Sequence, residues 1–139
     1  MPRRDRYHQN VCQALLKDGW EITNDPLMIY QEGTRVYLDL AAERKAKDLL
    51  ESVAIEIKVF GGKSQLTDFE NAVGQYELYR TILAEVGSTH ELYLALPQSA
   101  WMKMQTYPTL LRHLRGRQIH LLVFNPRLEE IVVWIKQTD

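Results

Sequence analysis

The run Val53-Ala54-Ile55-Glu56-Ile57-Lys58-Val59-Phe60 constrains the fold of this chain more than any other segment. β-Branched residues at every second position predict a strand. Successive strand side chains point to opposite faces, so Val53, Ile55, Ile57 and Val59 share one face and Glu56 and Lys58 stand together on the other. A carboxylate and an ammonium flanked by core residues are costly unless paired, hydrated or bound to a metal. That cost marks them as the first place to look for chemistry.

The 139 residues predict one domain, residues 1–139, with a core large enough to fold alone. Hydrophobic residues make up 45% and charged residues 25%, as in an ordinary globular protein. With 17 basic and 18 acidic residues the formal net charge is -1, so no bulk attraction to nucleic acid or anionic lipid follows. Cys12 is the one cysteine, which rules out an intrachain disulfide and any metal site built from cysteine pairs. Among Val11, Leu15 and Leu16 it reads as a small buried hydrophobe. No apolar run approaches the roughly 20 residues that span a bilayer, and no apolar segment of a leader follows the charged start. The expected location is cytoplasmic, away from membranes.

Apolar spacing predicts a helix over 5–17, stopped by Asp18-Gly19. Short strands follow at 20–23 and 27–30, then a strand over 34–40. In the last of these Val36, Leu38 and Leu40 face one way, and Arg35, Tyr37 and Asp39 the other. Residues 41–50 are charged and helix-prone, and read as a short helix or a solvated connection. After the Glu56 strand comes a turn at Gly61-Gly62. A long helix is expected over 67–86, with Thr67 and Glu70 as a capping box and Gly87 as its stop. A strand over 91–96, helices over 98–105 and 109–115, and strands over 119–124 and 131–135 complete the chain. The order implies a mixed α/β sheet flanked by helices.

If the strands carrying Asp39 and Glu56 are neighbours, these acids and Lys58 converge. Two carboxylates suit a hard divalent cation such as Mg²⁺ (or Mn²⁺), and the Ile57 carbonyl can complete the set. Such an ion polarises a phosphoryl oxygen and supplies a hydroxide-like nucleophile. Lys58 would hold the attacking water or offset phosphate charge. The competing reading of the spacing alone is a structural Glu56–Lys58 or Asp39–Lys58 ion pair at a sheet edge. Gln75 and Tyr79, four apart on the long helix, share a face beside its apolar stripe and need partners. Those partners are either a ligand at the acids or backbone groups of the sheet.

Several segments carry a family resemblance. They are Asp5-Arg6-Tyr7-His8, Lys17-Asp18-Gly19-Trp20, Thr23-Asn24-Asp25-Pro26-Leu27, Tyr37-Leu38-Asp39-Leu40 with Ala42-Glu43, Ile55-Glu56-Ile57-Lys58, and Gly74-Gln75-Tyr76 with Leu78-Tyr79-Arg80. Glu91-Leu92-Tyr93-Leu94-Ala95 and Leu122-Val123-Phe124 extend them. The chain resembles the XisH family, the cyanobacterial fdxN element excision controlling factors. That family in turn resembles the restriction-endonuclease-like PD-(D/E)XK fold, with core order αβββαβ. The resemblance implies an accessory factor for site-specific excision of a DNA element, with Mg²⁺-dependent endonuclease-like chemistry. Asp39 takes the place of the motif's aspartate, Glu56 of its second acid and Lys58 of its lysine. Gln75 and Tyr79 match a Gln-x-x-x-Tyr pattern of some branches. Leu38 stands where the pattern usually has proline. A glutamate common on the first helix has Asp5 or His8 as its polar counterpart, and Glu43 is a further candidate acid. The implied partners are DNA, an excision recombinase, a companion protein of the XisI type and a second copy of the chain. The alternative function is a non-catalytic nuclease-like scaffold that binds a partner protein and controls the recombinase.

Arg3, Arg4 and Arg6 cluster near the start, and Arg112, Arg115 and Arg117 cluster with His113 before the penultimate strand. Either group can contact phosphate or form an ordinary solvated face. Trp101, Met102, Met104 and Tyr107 read as core or subunit interface. His90, His113 and His120 show no spacing that suits a transition metal.

Overall fold

The apolar stripe Val11, Ala14 and Leu15 builds the first helix, α1 (Arg3–Lys17). It ends at Gly19, whose φ of 86° only glycine adopts without strain. The computed structural model describes residues 3–60 and 64–138, with side chains from Tyr7 onward. The expected Gly61-Gly62 turn lies outside the described residues, as do the side chains of Arg3, Arg4, Asp5 and Arg6.

Strand β1 (Glu21–Asn24) leads into a bend at Asp25-Pro26, whose peptide bond is cis. Strands β2 (Leu27–Gln31) and β3 (Thr34–Leu38) pair antiparallel as a separate two-stranded sheet. Strand β4 (Leu40–Ala46) and β5 (Leu49–Ile57) form a second hairpin. Its two-residue loop, Lys47-Asp48, has φ of 51° and 66°, as a type I′ turn requires. Then come α2 (Gln65–Glu85), β6 (Glu91–Pro97), α3 (Gln98–Met104), α4 (Pro108–Gly116), β7 (Leu121–Asn125) and β8 (Glu130–Ile135).

The main sheet runs β1-β4-β5-β6-β7-β8. The pairs β5/β6 and β6/β7 are parallel and the others antiparallel. In order, the helices and main-sheet strands from α1 to β6 read helix, three strands, helix, strand, as the sequence predicts. Both parallel crossovers step the same way across the sheet. Crossovers of one hand then put their helices on one face. Accordingly Phe69, Val73 and Leu83 of α2, Met104 of α3 and Leu114 of α4 share one core with Ala54, Leu92, Leu94, Leu121 and Val123. Val11 and Leu15 of α1 cover the other face, against Val53, Ile55, Ile57, Ala95, Leu122 and Phe124. The alternation read in the Glu56 segment thus holds through Ile57, where β5 ends; Val59, expected on the same face, lies beyond the strand and lines a cavity beside α2. Each fully buried Leu, Ile or Phe contributes about 1.5–3 kcal/mol, so burial on both faces stabilises the sheet.

Three expectations need correction. The strand expected over 34–40 is two strands broken at Asp39. Leu38 belongs to the α2-side core and Leu40 to the α1-side core, so the bend at Asp39 reverses the facing. Residues 41–50 are neither helix nor solvated connection; they form β4, the hairpin turn and the first residues of β5. Ala41 and Ala42 are fully buried between β1 and β5, and that packing overrides helix propensity. The start of α2 is capped by Ser64, whose Oγ accepts the Thr67 N–H at 3.3 Å, rather than by a box from Thr67.

Arg44 ties the outer end of β4 to the end of α1. Its guanidinium lies 4.5 Å from the Trp20 ring centroid and pairs with Asp18 at 3.2 Å and Glu51 at 3.3 Å. Lysine keeps the charge but loses the planar stack and the fork. Arg44→Lys is expected to cost about 1 kcal/mol, read as a lower urea midpoint with an unchanged slope.

Candidate functional site

Among the described residues, Asp39 and Glu56 are the two buried charged side chains, 2% and 5% exposed. Both line one cavity of about 320 Å³ with Ile57, Lys58, Gln75 and Tyr79. Arg35, Val36 and Tyr37 of β3 also line it. The cavity lies where β4 begins, where β5 ends, and beneath the middle of α2. In sheets with parallel strands, ligand sites lie outside the carboxyl ends of those strands, and the end of β5 is such a place.

The position of Asp39 follows from the sheet's hydrogen bonding. The Lys58 N–H reaches across to the Ala95 carbonyl of β6 at 2.9 Å. The preceding amide, Ile57, must therefore point the other way, toward β4. There β4 has run out, because Leu40 opposite Ile55 is its first residue. The Asp39 carboxylate supplies the missing acceptor: its Oδ2 takes the Ile57 N–H at 2.8 Å. On a strand a residue's carbonyl leaves on the same side as its N–H, so the Ile57 carbonyl is also directed toward this end of β4. Asp39→Ala would strand a buried amide and is expected to cost about 1–3 kcal/mol. Asp39→Asn keeps an oxygen acceptor and should recover most of that loss in the same denaturation measurement.

Lys58 and Gln75 meet across the sheet–helix junction. The Lys58 ammonium donates to Gln75 Oε1, and Gln75 Nε2 donates to the Tyr79 hydroxyl at 2.8 Å. The amide's two ends are thereby distinguished, and the lysine is aimed by a relay from one turn further along α2. Of the two kinds of partner open to Gln75 and Tyr79 from the sequence, backbone groups of the sheet give way to this side-chain relay.

Other candidates lie elsewhere. His8 Nε2 bonds Asp25 Oδ1 at 2.7 Å and does not line the cavity. Glu43 sits opposite Ser52 in the β4/β5 ladder. Four residues along a strand is about 13 Å, so it is too far from Asp39 to share a ligand. Arg112 and Arg115 are exposed on α4, and Arg117 just beyond it pairs with Glu77 at 3.6 Å; none lines the cavity. The side chain of Asp5 is outside the described residues. Arg35 and Tyr37 line the cavity but were not among the site residues read from the sequence. Burial and the Asp25 charge push the Cys12 thiol up to about 11, so it is no nucleophile at neutral pH. A larger cavity, about 690 Å³, lies between α2, α3 and α4, but its walls are mainly apolar, with Phe60, Leu66, Phe69, Val73 and Met104 among them.

No helix among the described residues is long and apolar enough to cross a membrane. A family model described as XisH protein matches residues 1–132. A crystal structure of an XisH family protein from Nostoc punctiforme is 35% identical, with 95% of this chain and 100% of that one covered at a TM-score of 0.86. A second, of an fdxN element excision controlling factor protein from Anabaena variabilis, is 34% identical, with 95% and 99% covered and a TM-score of 0.86. No curated protein matches the chain. The breadth of the family match and these identities over nearly the full length lead to one conclusion: the chain belongs to the XisH family.

Proposed function

We propose that this protein acts in controlling excision of a DNA element, the role printed in the name of its Anabaena variabilis relative. We further propose that the Asp39–Glu56–Lys58 cavity is a Mg²⁺-dependent phosphodiester-hydrolysing centre of the PD-(D/E)XK kind. One observation carries this reading: two buried acids and a lysine, from separate stretches of chain, line a single polar cavity at the end of β5.

The donor set fits a hard cation. Asp39 and Glu56 offer carboxylate oxygens and Ile57 a carbonyl, while among the described residues no sulfur or imidazole lines the cavity. When bound, the ion would polarise a phosphoryl oxygen and acidify a coordinated water. The chain's own residues do the rest. The Ile57 N–H fixes the Asp39 carboxylate, so that acid needs no reorientation when substrate arrives. Lys58, aimed by Gln75 and Tyr79, offsets the charge that builds on the phosphate. Arg35 at the rim adds a second cation for a neighbouring phosphate.

The test is cleavage of duplex and single-stranded DNA by the full chain, with Mg²⁺ or Mn²⁺ and with chelator. Cleavage that needs metal and is lost in Glu56→Gln and Lys58→Ala supports the centre. Cleavage that persists in both variants removes these residues from the mechanism. The net charge of -1 favours a second reading, because a strong DNA binder needs phosphate-neutralising residues. In that reading the protein is a non-catalytic scaffold that binds a partner protein and controls the recombinase. A stoichiometric protein complex, with no cleavage under either metal, would decide for it.

A further inference from the structure

His8 and Cys12 are four residues apart on α1, which places them side by side on one face of the helix. The bend after β1 brings Asp25 against the same face, with its Oδ1 2.7 Å from His8 Nε2. One imidazole nitrogen, the Cys12 sulfur and one Asp25 oxygen all lie within 4.8 Å of one another. Zinc–ligand bonds are about 2.0–2.3 Å long, so donors around one ion stand roughly 3.3–3.8 Å apart. The three groups therefore need only small side-chain rotations to close on a common centre. His8 and Cys12 are half-buried and Asp25 is exposed, which leaves a path for an ion from solvent.

We propose that His8, Cys12 and Asp25 form a second cation site, selective for a borderline transition metal such as Zn²⁺. The donor chemistry separates it from the Asp39–Glu56 cavity. Imidazole and thiolate select zinc-like ions, whereas an all-oxygen set selects magnesium. Three protein ligands leave a fourth tetrahedral position open to water or to a ligand atom from a partner. Binding displaces the thiol proton, so it releases acid. The ion would pin α1 to the bend between β1 and β2. Asn24, next to Asp25, is paired with Ala41, two residues beyond Asp39. The site thus sits at the same end of the sheet as the acidic cavity, with α1 and α2 on opposite faces. The inference stands apart from the nuclease proposal, because it uses none of that cavity's residues.

The histidine–cysteine spacing is legible in the sequence; the approach of Asp25 is not. Cobalt(II) is the spectroscopic probe. Titrating the reduced full chain with Co²⁺ should give a thiolate-to-cobalt charge-transfer band and tetrahedral d–d bands that saturate at one equivalent. Zn²⁺ should bleach them, and excess Mg²⁺ should not. Cys12→Ser should abolish the charge-transfer band. Asp25→Asn should weaken Zn²⁺ binding by more than about tenfold, since even loss of an outer-sphere partner costs roughly 10–100-fold. Glu56→Gln should leave the spectrum unchanged, so failure here and failure of the nuclease reading are distinguishable. Absence of a thiolate band in the wild-type chain, or Zn²⁺ affinity unaltered in both Cys12→Ser and Asp25→Asn, would overturn the assignment.

Discussion

Replacing Glu56 by glutamine is expected to reduce metal-dependent DNA cleavage by at least about 100-fold while the protein stays folded. The substitution is nearly isosteric and keeps one oxygen acceptor. It removes a charge that, with Asp39, would hold the divalent ion of the proposed centre. Glu56 sits in the register of the β5/β6 ladder opposite Leu94, so the backbone around it is held by the sheet and not by its side chain. Loss of activity with an unchanged far-ultraviolet spectrum would therefore report chemistry. Lys58→Ala should lose activity to a similar degree. Gln75→Ala should lose less, because it misdirects the lysine without removing it. Equal cleavage by wild type and Glu56→Gln would leave the acids with a structural role alone.

The largest stability effect from removing a single atom is expected at Tyr76. Its ring is fully buried under α2, and burial pushes the phenol's pKa above its ordinary value. The hydroxyl stays protonated and does two jobs: it donates to the Leu92 carbonyl at 2.7 Å and accepts the His120 N–H at 3.1 Å. It thereby links α2 to the start of β6 and the residue before β7. Tyr76→Phe deletes that oxygen where water cannot easily replace it, leaving two backbone groups short of a partner. The cost is about 2 kcal/mol, or roughly 8 °C in Tm for a chain of this size. Thermal denaturation by circular dichroism measures it. A shift under about 2 °C would mean that water enters and satisfies both groups.

The two features that carried most of the sequence reading were periodic. The alternation around Glu56 and the apolar stripe of α2 placed an acid, a lysine and the Gln75/Tyr79 pair on facing surfaces, and the fold brings them together. What the sequence concealed was the break at Asp39. Val36, Leu38 and Leu40 are all apolar at alternate positions, so the pattern runs straight through the bend. Only tertiary packing sends Leu38 to one core and Leu40 to the other. Strand β4 was hidden for a different reason. Ala41-Ala42-Glu43-Arg44-Lys45-Ala46 is made of good helix formers, and its extended form is set by neighbours on both sides. Arg35 and Tyr37 entered the site through a hairpin whose placement over the cavity no local signal encodes.

The Asp39–Ile57 hydrogen bond has one more implication. It locks the register of β4 against β5 at the end of the hairpin farthest from its Lys47-Asp48 tip. Lengthening that tip, or splicing a short tag into it, would shift nothing between the acids and the lysine. This loop is a suitable point for attaching a reporter to a functional protein.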